Sequence, residues 1–482
     1  MSCHRLAPRA TYALGIGVLL VVVLLSVVLA DYGYDDPYIT YRYARNLVLG
    51  NGFVYNVGEP VLSTTTPGYA LLLAALGWVH GNIPLLGNVL SAVGLGLGAW
   101  ALGLWASEAR QPFAGWAAGL LLLTFPLLLS TFGSEMALYI GVLLCGFYLY
   151  ACRHPGYAMA VMGAATLLRP DGVLAAGVIS MHLIVTQRRM PWKPLAVYAM
   201  VLLPWAAYGT WFFGSPLPVT LVAKQAQGRM EISDSFAWGA WTLFRNYLRE
   251  PFYWLLLPLN AIGFWQIVTR KREWLLLLLW SVCYLAGYVV LGVSRYFWYY
   301  APLVPGVLVS AAVGLDWVRA AVSRWRTGSP WQWVVALSIL ASLLWPNLER
   351  LQSIATHPDR RLSAYRYAGQ WIDANLPADA SLGTLEVGII GYYASRRIIG
   401  FAGLLQPEAA RHVSAQTTYE DIAAWAVGAY EPDYLLLGEG WFPNWTQSPE
   451  FSSRYAQVRS FEQEGDAFTP LLLYGRSGGS ER

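Results

Sequence analysis

Charge is what this chain has least of. Only 12% of its 482 residues are Asp, Glu, Lys or Arg, against about a quarter in soluble domains. Cysteine is also scarce: Cys3, Cys145, Cys152 and Cys283 are the only four. None has metal-ligand spacing and no disulfide framework follows from them. No internal repeat, low-complexity stretch, phosphate-binding glycine loop or zinc motif is present. The net charge of +4 is small, and the basic residues mark loops, not a groove, which argues against nucleic acid as a partner. What the chain has instead is 56% hydrophobic residues, 23 Trp, 30 Tyr and a mean hydropathy of +0.42. That is the composition of an integral membrane protein.

A first apolar run reaches from Tyr12 to Ala30, long enough to cross a bilayer. Tyr and Asp follow it in place of a small-residue cleavage site, so it reads as an uncleaved first helix. Further runs fall at about 83–107, 113–132, 135–151, 156–168, 172–186, 194–213, 251–269, 274–292, 298–318 and 331–346. The segment 67–80 is short for a crossing. If it stays on the surface, the basic residues Arg5, Arg9, Arg110, Arg153, Arg188, Arg189, Lys193, Arg270, Lys271, Arg272, Arg319, Arg324 and Arg326 all fall on the cytoplasmic side. They outnumber the basic residues of the outer loops, as the positive-inside rule requires. The expected architecture is therefore a polytopic all-α membrane protein of about eleven transmembrane helices over 1–347. Residues 348–482 form a small mixed α/β extracytoplasmic domain, with strands at Ser381–Leu385, Tyr434–Leu437 and Leu471–Tyr474 and helices at 363–375 and 417–427.

That topology gathers an unusual set of polar residues on the outer face. Asp35 and Asp36 follow the first span, in a stretch rich in Tyr and Arg that includes Tyr38 and Arg42. Glu135, Arg169, Asp171, Lys224 and Arg295 sit at the outer ends of other helices. Each alone has a plain structural explanation, as a helix-end charge or a side chain reaching for lipid headgroups. Charges near a bilayer are costly, however, and their convergence marks a site. Acids with Arg and Lys can clamp a phosphate and also take a proton from an acceptor. The Arg295-Tyr-Phe-Trp-Tyr-Tyr-Ala segment offers an aromatic wall for a sugar or a prenyl chain.

The stretch from Asp35-Asp-Pro-Tyr-Ile-Thr-Tyr-Arg-Tyr-Ala-Arg-Asn to Gly50-Asn-Gly-Phe-Val-Tyr-Asn resembles the GT-C superfamily of membrane glycosyltransferases. So do Gly133-Ser-Glu-Met, Leu168-Arg-Pro-Asp-Gly, Gly214-Ser-Pro-Leu-Pro-Val-Thr-Leu-Val-Ala-Lys and Ser294-Arg-Tyr-Phe. The likeness is greatest to the mycobacterial arabinofuranosyltransferase-like branch and more distant to protein O-mannosyltransferases and the lipid A aminoarabinose transferase. Ser63-Thr-Thr-Thr-Pro-Gly and Val219 depart from that branch. The resemblance implies an inverting transferase that takes a sugar from a polyprenyl-phosphate donor to a glycan, lipid or protein acceptor, in cell-envelope assembly at the bacterial plasma membrane. It also implies juxtamembrane helices in the first outer loop. A lipid-linked glycan flippase and an O-antigen polymerase or ligase are the alternatives.

Carried onto this chain, the resemblance makes Asp36 or Asp35 the catalytic carboxylate and Glu135 a second acid. Arg295, Lys224 and Arg169 would hold the donor phosphate, and Tyr38, Arg42 and Tyr296 would contact substrate. GT-C enzymes differ in whether they use a divalent cation (Mg, Mn or Ca); Asp35 and Glu135 are the candidate ligands here. Adjacent Asp residues at a helix start cannot both face one substrate. One should point inward while the other hydrogen-bonds or binds a cation.

Overall fold

The structure, a computed structural model, describes residues 8–325, 330–357, 359–462 and 469–477. Cys3, Arg5 and Arg326 lie outside the described residues. Helices occupy every expected apolar run. Six described helices are long and apolar enough to cross a membrane, the first of them Ile83–Glu108 and the last Trp331–Asn375, which takes in a following helix. Shorter apolar helices include Met136–Ala151, Pro155–Leu168 and Gly172–Gln187. Pro67–Gly77, at 11 residues, is the shortest of these. It packs along a polar helix, Asp35–Val48.

Small residues hold the bundle together. Ile83–Glu108 crosses Met136–Ala151 so closely that a Cβ on Gly94 would strike the backbone of Leu138, and one on Gly141 would strike the Gly94 carbonyl. Leu256–Thr269 meets Val304–Trp325 in the same way through Gly263 and Gly314. Lipid tails are as apolar as Leu, so helices in a membrane gain little by hiding Leu from them and associate through close backbone packing.

The C-terminal domain carries a five-stranded sheet of β1 (Ser381–Thr384), β2 (Arg397–Gly400), β3 (Tyr434–Gly438), β4 (Tyr455–Phe461) and β5 (Leu471–Arg476). Its order is β2-β1-β3-β5-β4, parallel from β2 to β3 and antiparallel beyond. The three central strands are those expected from sequence. The two unexpected ones are both edges. β4 is mostly exposed and carries an irregularity between Gln457 and Arg459, so it lacks the apolar run by which buried strands are read. The expected helices appear as Arg360–Asn375 and Tyr419–Tyr430. The Trp331–Thr356 helix runs unbroken through Pro346 and past residue 347.

The glycine crossings give a direct check. Gly263→Leu should force the two helices apart at a backbone–backbone contact and lower the thermal midpoint of the detergent-purified protein by several degrees. Gly177→Leu, on a helix position with open space beside it, should leave the midpoint nearly unchanged.

Candidate active site

The Asp35–Val48 helix organises the site. Acids in its first turn suit the positive end of the helix, Pro37 fits the first turn, and Gly50 at φ 80° lets the chain leave past Leu49. Residues three and four apart share a face, and this helix has two working faces. Asp35, Tyr38, Arg42 and Arg45 meet the C-terminal domain, while Asp36, Ile39 and Thr40 line cavities on the other side.

The first face is a clamp. Arg42 donates to the carbonyls of Tyr55 (2.8 Å), Gly391 (2.6 Å) and Arg396 (2.5 Å), and to Asn56 Oδ1. Arg45 donates to the Tyr392 carbonyl. The Asn56 amide pairs with both the N–H and the C=O of Ile398, covering the edge of β2 as another strand would. Tyr38 packs among Tyr41, Tyr392 and Tyr393. The Asp35 carboxylate accepts the backbone N–H groups of Gly388 (2.9 Å) and Ile389 (2.8 Å). These open the short helix Ile389–Ala394, so Asp35 caps a helix of the other domain. The approach is close enough that a Cβ on Gly388 would collide with Asp35.

The second face lines a cavity of about 430 Å³ between the membrane region and the C-terminal domain. Asp35, Asp36, Lys224, Tyr296 and Trp298 form one wall, and Arg361, Tyr365, Glu386 and Tyr419 the other. Lys224, on Thr220–Gly228, donates to Asp36 Oδ1 at 3.1 Å. Its ammonium lies 4.5 Å from the Tyr296 ring centre and 5.1 Å from that of Trp298. Burial alone would pull the lysine down, but Asp36 and the neighbouring phenols outweigh it and the pKa rises, so Lys224 stays charged. A crevice of about 30 Å³ leads off between Asp36, Lys224, Ser63, Thr64, Thr65 and Thr220. In it the buried Ser63 Oγ and Thr220 Oγ1 have no hydrogen-bond partner.

Among the residues expected at the site, Asp35, Asp36, Lys224 and Tyr296 thus share one cavity. Glu135 and Arg169 pair with each other at 2.6 Å in an adjoining buried network with Asp171 and Tyr288. Arg169 and Lys224 share the Tyr299 ring, at 6.0 and 5.7 Å from its centre. Arg295 is elsewhere. A two-stranded bridge of Ser294 with Ser235 turns it out to Asp234 at 3.0 Å, and side-chain alternation turns Tyr296 in. Arg42 and Tyr38 do not line the cavity either, since their face belongs to the domain contact. Asp35 and Glu135, the candidate cation ligands, have separate partners; no group of three His, Cys, Asp or Glu suited to a metal occurs among the described residues. Glu386, Arg361, Tyr365 and Tyr419 are site residues that sequence reasoning missed. Glu386 opens a Glu-Val-Gly stretch just after β1.

Comparisons with known proteins bear on the fold. Over 97% of its length the chain superposes on ArnT from Cupriavidus metallidurans, covering 98% of that chain, at TM-score 0.60 and 15% identity for the form bound to undecaprenyl phosphate. The apo form gives 0.62 and 14%. The Archaeoglobus fulgidus oligosaccharyltransferase matches at TM-score 0.58 and 14% identity, over 96% of this chain and 74% of that one. The chain has the GT-C fold. In sequence it is 28% identical over 264 residues to the terminal β-(1→2)-arabinofuranosyltransferase of Mycobacterium tuberculosis (strain ATCC 25618 / H37Rv). That match covers 49% of this chain and 41% of the relative, less than half of either. A family profile described as a domain of unknown function, DUF8728, matches residues 355–475, which take in β1 to β4 and all of β5 but its last residue.

The clamp predicts that Arg42→Met leaves several backbone carbonyls buried without donors. Hydrogen bonds to a charged group are worth about 1.5–3 kcal/mol each, so the variant should lose at least that much stability. Limited proteolysis should then cut between the bundle and the C-terminal domain sooner than in the parent protein.

Proposed function

We propose that this protein is an inverting glycosyltransferase that moves a sugar from a polyprenyl-phosphate donor to an acceptor hydroxyl, at the extracytoplasmic face of the bacterial plasma membrane. The observation that carries the reading is the Asp36–Lys224 pair in an aromatic-walled cavity. A lipid phosphate is already a fair leaving group. The enzyme needs a base for the acceptor and positive charge for the departing phosphate. Asp36 takes the acceptor proton, the acceptor oxygen attacks the anomeric carbon, and the bond from that carbon to the phosphate oxygen breaks with inversion. Lys224, fixed by Tyr296 and Trp298, receives the phosphate charge. The crevice beside the pair, with the unpartnered Ser63 and Thr220 hydroxyls, suits a sugar hydroxyl. A cation is given no part in this step.

The lipid has a path. A groove of about 750 Å³ meets the site cavity at Phe297. It continues through Leu127, Leu243, Tyr247 and Tyr253 into an apolar cleft of about 350 Å³ beside Leu256, Tyr300 and Val304. The ArnT structure bound to undecaprenyl phosphate and the arabinofuranosyltransferase relative support a lipid-linked donor. They are consistent with a pentose or a related sugar as the unit transferred.

The test is incubation with radiolabelled polyprenyl-phosphate sugars and a membrane-glycan acceptor. Covalent transfer by the wild type supports the reading; label that crosses the bilayer without transfer points to a flippase. Asp36→Asn should lower kcat by about 10²–10⁴. Lys224→Ala should weaken donor use as well, and Arg295→Ala should not.

A further inference from the structure

Gln227 joins three parts of the molecule and takes no part in the transfer step. It lies on the Thr220–Gly228 helix, three residues after Lys224, so the two side chains share a face. Both line the cavity between the domains, and Gln227 is buried. Its amide Nε2 donates to the carbonyl of Ala402, just after β2, at 3.0 Å, and its Oε1 accepts from the Tyr296 hydroxyl at 2.8 Å. A carbonyl can only accept, which settles the orientation of the amide. The nitrogen must face Ala402, and the oxygen is left to the phenol.

Tyr296 is the nearest of three rings around the Lys224 ammonium, at 4.5 Å against 5.1 Å for Trp298 and 5.7 Å for Tyr299. Its ring stacks on Trp298 with centres 4.7 Å apart and planes 22° from parallel. An ammonium is drawn to the face of a ring and not to its edge, so the tilt of Tyr296 decides how well the lysine is held. The hydroxyl bond to Gln227 pins that ring at its far end. The C-terminal domain also grips the chain just past this helix. The Glu231 N–H donates to the Ala415 carbonyl at 2.9 Å, and Met230 is buried with Ala409 and Ile422.

We infer that Gln227 is a positioning residue of the transferase site, through which the C-terminal domain orients Lys224 toward the donor phosphate; this rests on the transferase reading of the cavity. The contacts run from the Ala402 carbonyl to the Gln227 amide, on to the Tyr296 hydroxyl, and through its ring to the Lys224 ammonium. Gln227 has both polar ends engaged and acts only through its neighbours. The other partner of Lys224, Asp36 Oδ1 at 3.1 Å, comes from the first loop. The lysine is thus held from the membrane region by an acid and from the C-terminal domain by an aromatic wall. A lysine side chain has many rotamers, and ordering it before the donor arrives removes that cost from binding.

The experiment uses the full-length protein purified in detergent, as wild type, Gln227→Leu, Tyr296→Phe, Lys224→Met and the Gln227→Leu, Lys224→Met double variant. Gln227→Leu keeps the bulk without either bond, and Tyr296→Phe keeps the ring and removes only the hydroxyl. The first readout is acetylation by acetic anhydride, followed by mass spectrometry, with the exposed Lys193 as internal reference. Lys224 should react several-fold faster in both single variants while Lys193 is unchanged. The second is binding of undecaprenyl phosphate alone. Its Kd should rise about tenfold in Gln227→Leu, the upper end for one hydrogen bond, and by a similar factor in Tyr296→Phe. Donor KM should rise in step, with kcat changed less. In the Lys224→Met background Gln227→Leu should make no further difference, whereas a merely structural role would add its cost in both backgrounds. Labelling and binding that match the wild type in both single variants, or an equal loss with and without Lys224, overturn the inference. Should the wild type neither bind undecaprenyl phosphate nor transfer sugar, the function proposed above falls, and the labelling arm still decides whether Gln227 holds the lysine.

Discussion

The Asp35 carboxylate on the Gly388 and Ile389 N–H groups is the contact on which the rest of the site depends. It joins the first residue of a loop helix to the first turn of a helix some 350 positions later in the chain. In doing so it fixes how the C-terminal domain sits on the membrane bundle. Backbone N–H groups at a helix start are a ready anion site, and a carboxylate from another domain fills it. Once Asp35 is committed there, its neighbour Asp36 on the same wall of the cavity is left to pair with Lys224.

That single commitment sorts the polar residues of the first loop. The Asp35, Tyr38, Arg42 and Arg45 face grips backbone carbonyls and tyrosines of the C-terminal domain, and the Asp36 and Ile39 face looks into the cavity. A cluster that looks wholly catalytic in sequence is thus half adhesive. The site is also a joint product of two domains, since Arg361, Tyr365, Glu386 and Tyr419 form the wall opposite Asp36.

Much of the fold was legible because long apolar runs, loop charge and the central strands each have a strong local signature. The short helix Pro67–Gly77 was legible from its apolar run. Asp35, Asp36, Lys224 and Tyr296, which line one cavity, could be picked out together because polar groups at helix ends are unusual in so apolar a chain. Arg295 lies outside the cavity for a local reason: only the bridge between Ser294 and Ser235 reveals which way each side chain of Arg295-Tyr296 points. Arg42 carries the same charge whether it grips a substrate or a carbonyl, and only its partners distinguish the two. The edge strands β2 and β4 and the wall residues of the C-terminal domain depend on contacts far away in sequence, which no local pattern records.

The account turns on the division of labour between two adjacent aspartates. A cryo-electron microscopy structure of the protein with undecaprenyl phosphate tests it most directly. The phosphate should lie within hydrogen-bond reach of Lys224 Nζ, beside Tyr296 and Trp298, with Asp36 facing the sugar side of the cavity and Asp35 still capping Gly388 and Ile389. A phosphate held by Arg295, or an Asp35 that leaves the helix start to face the ligand, would contradict it.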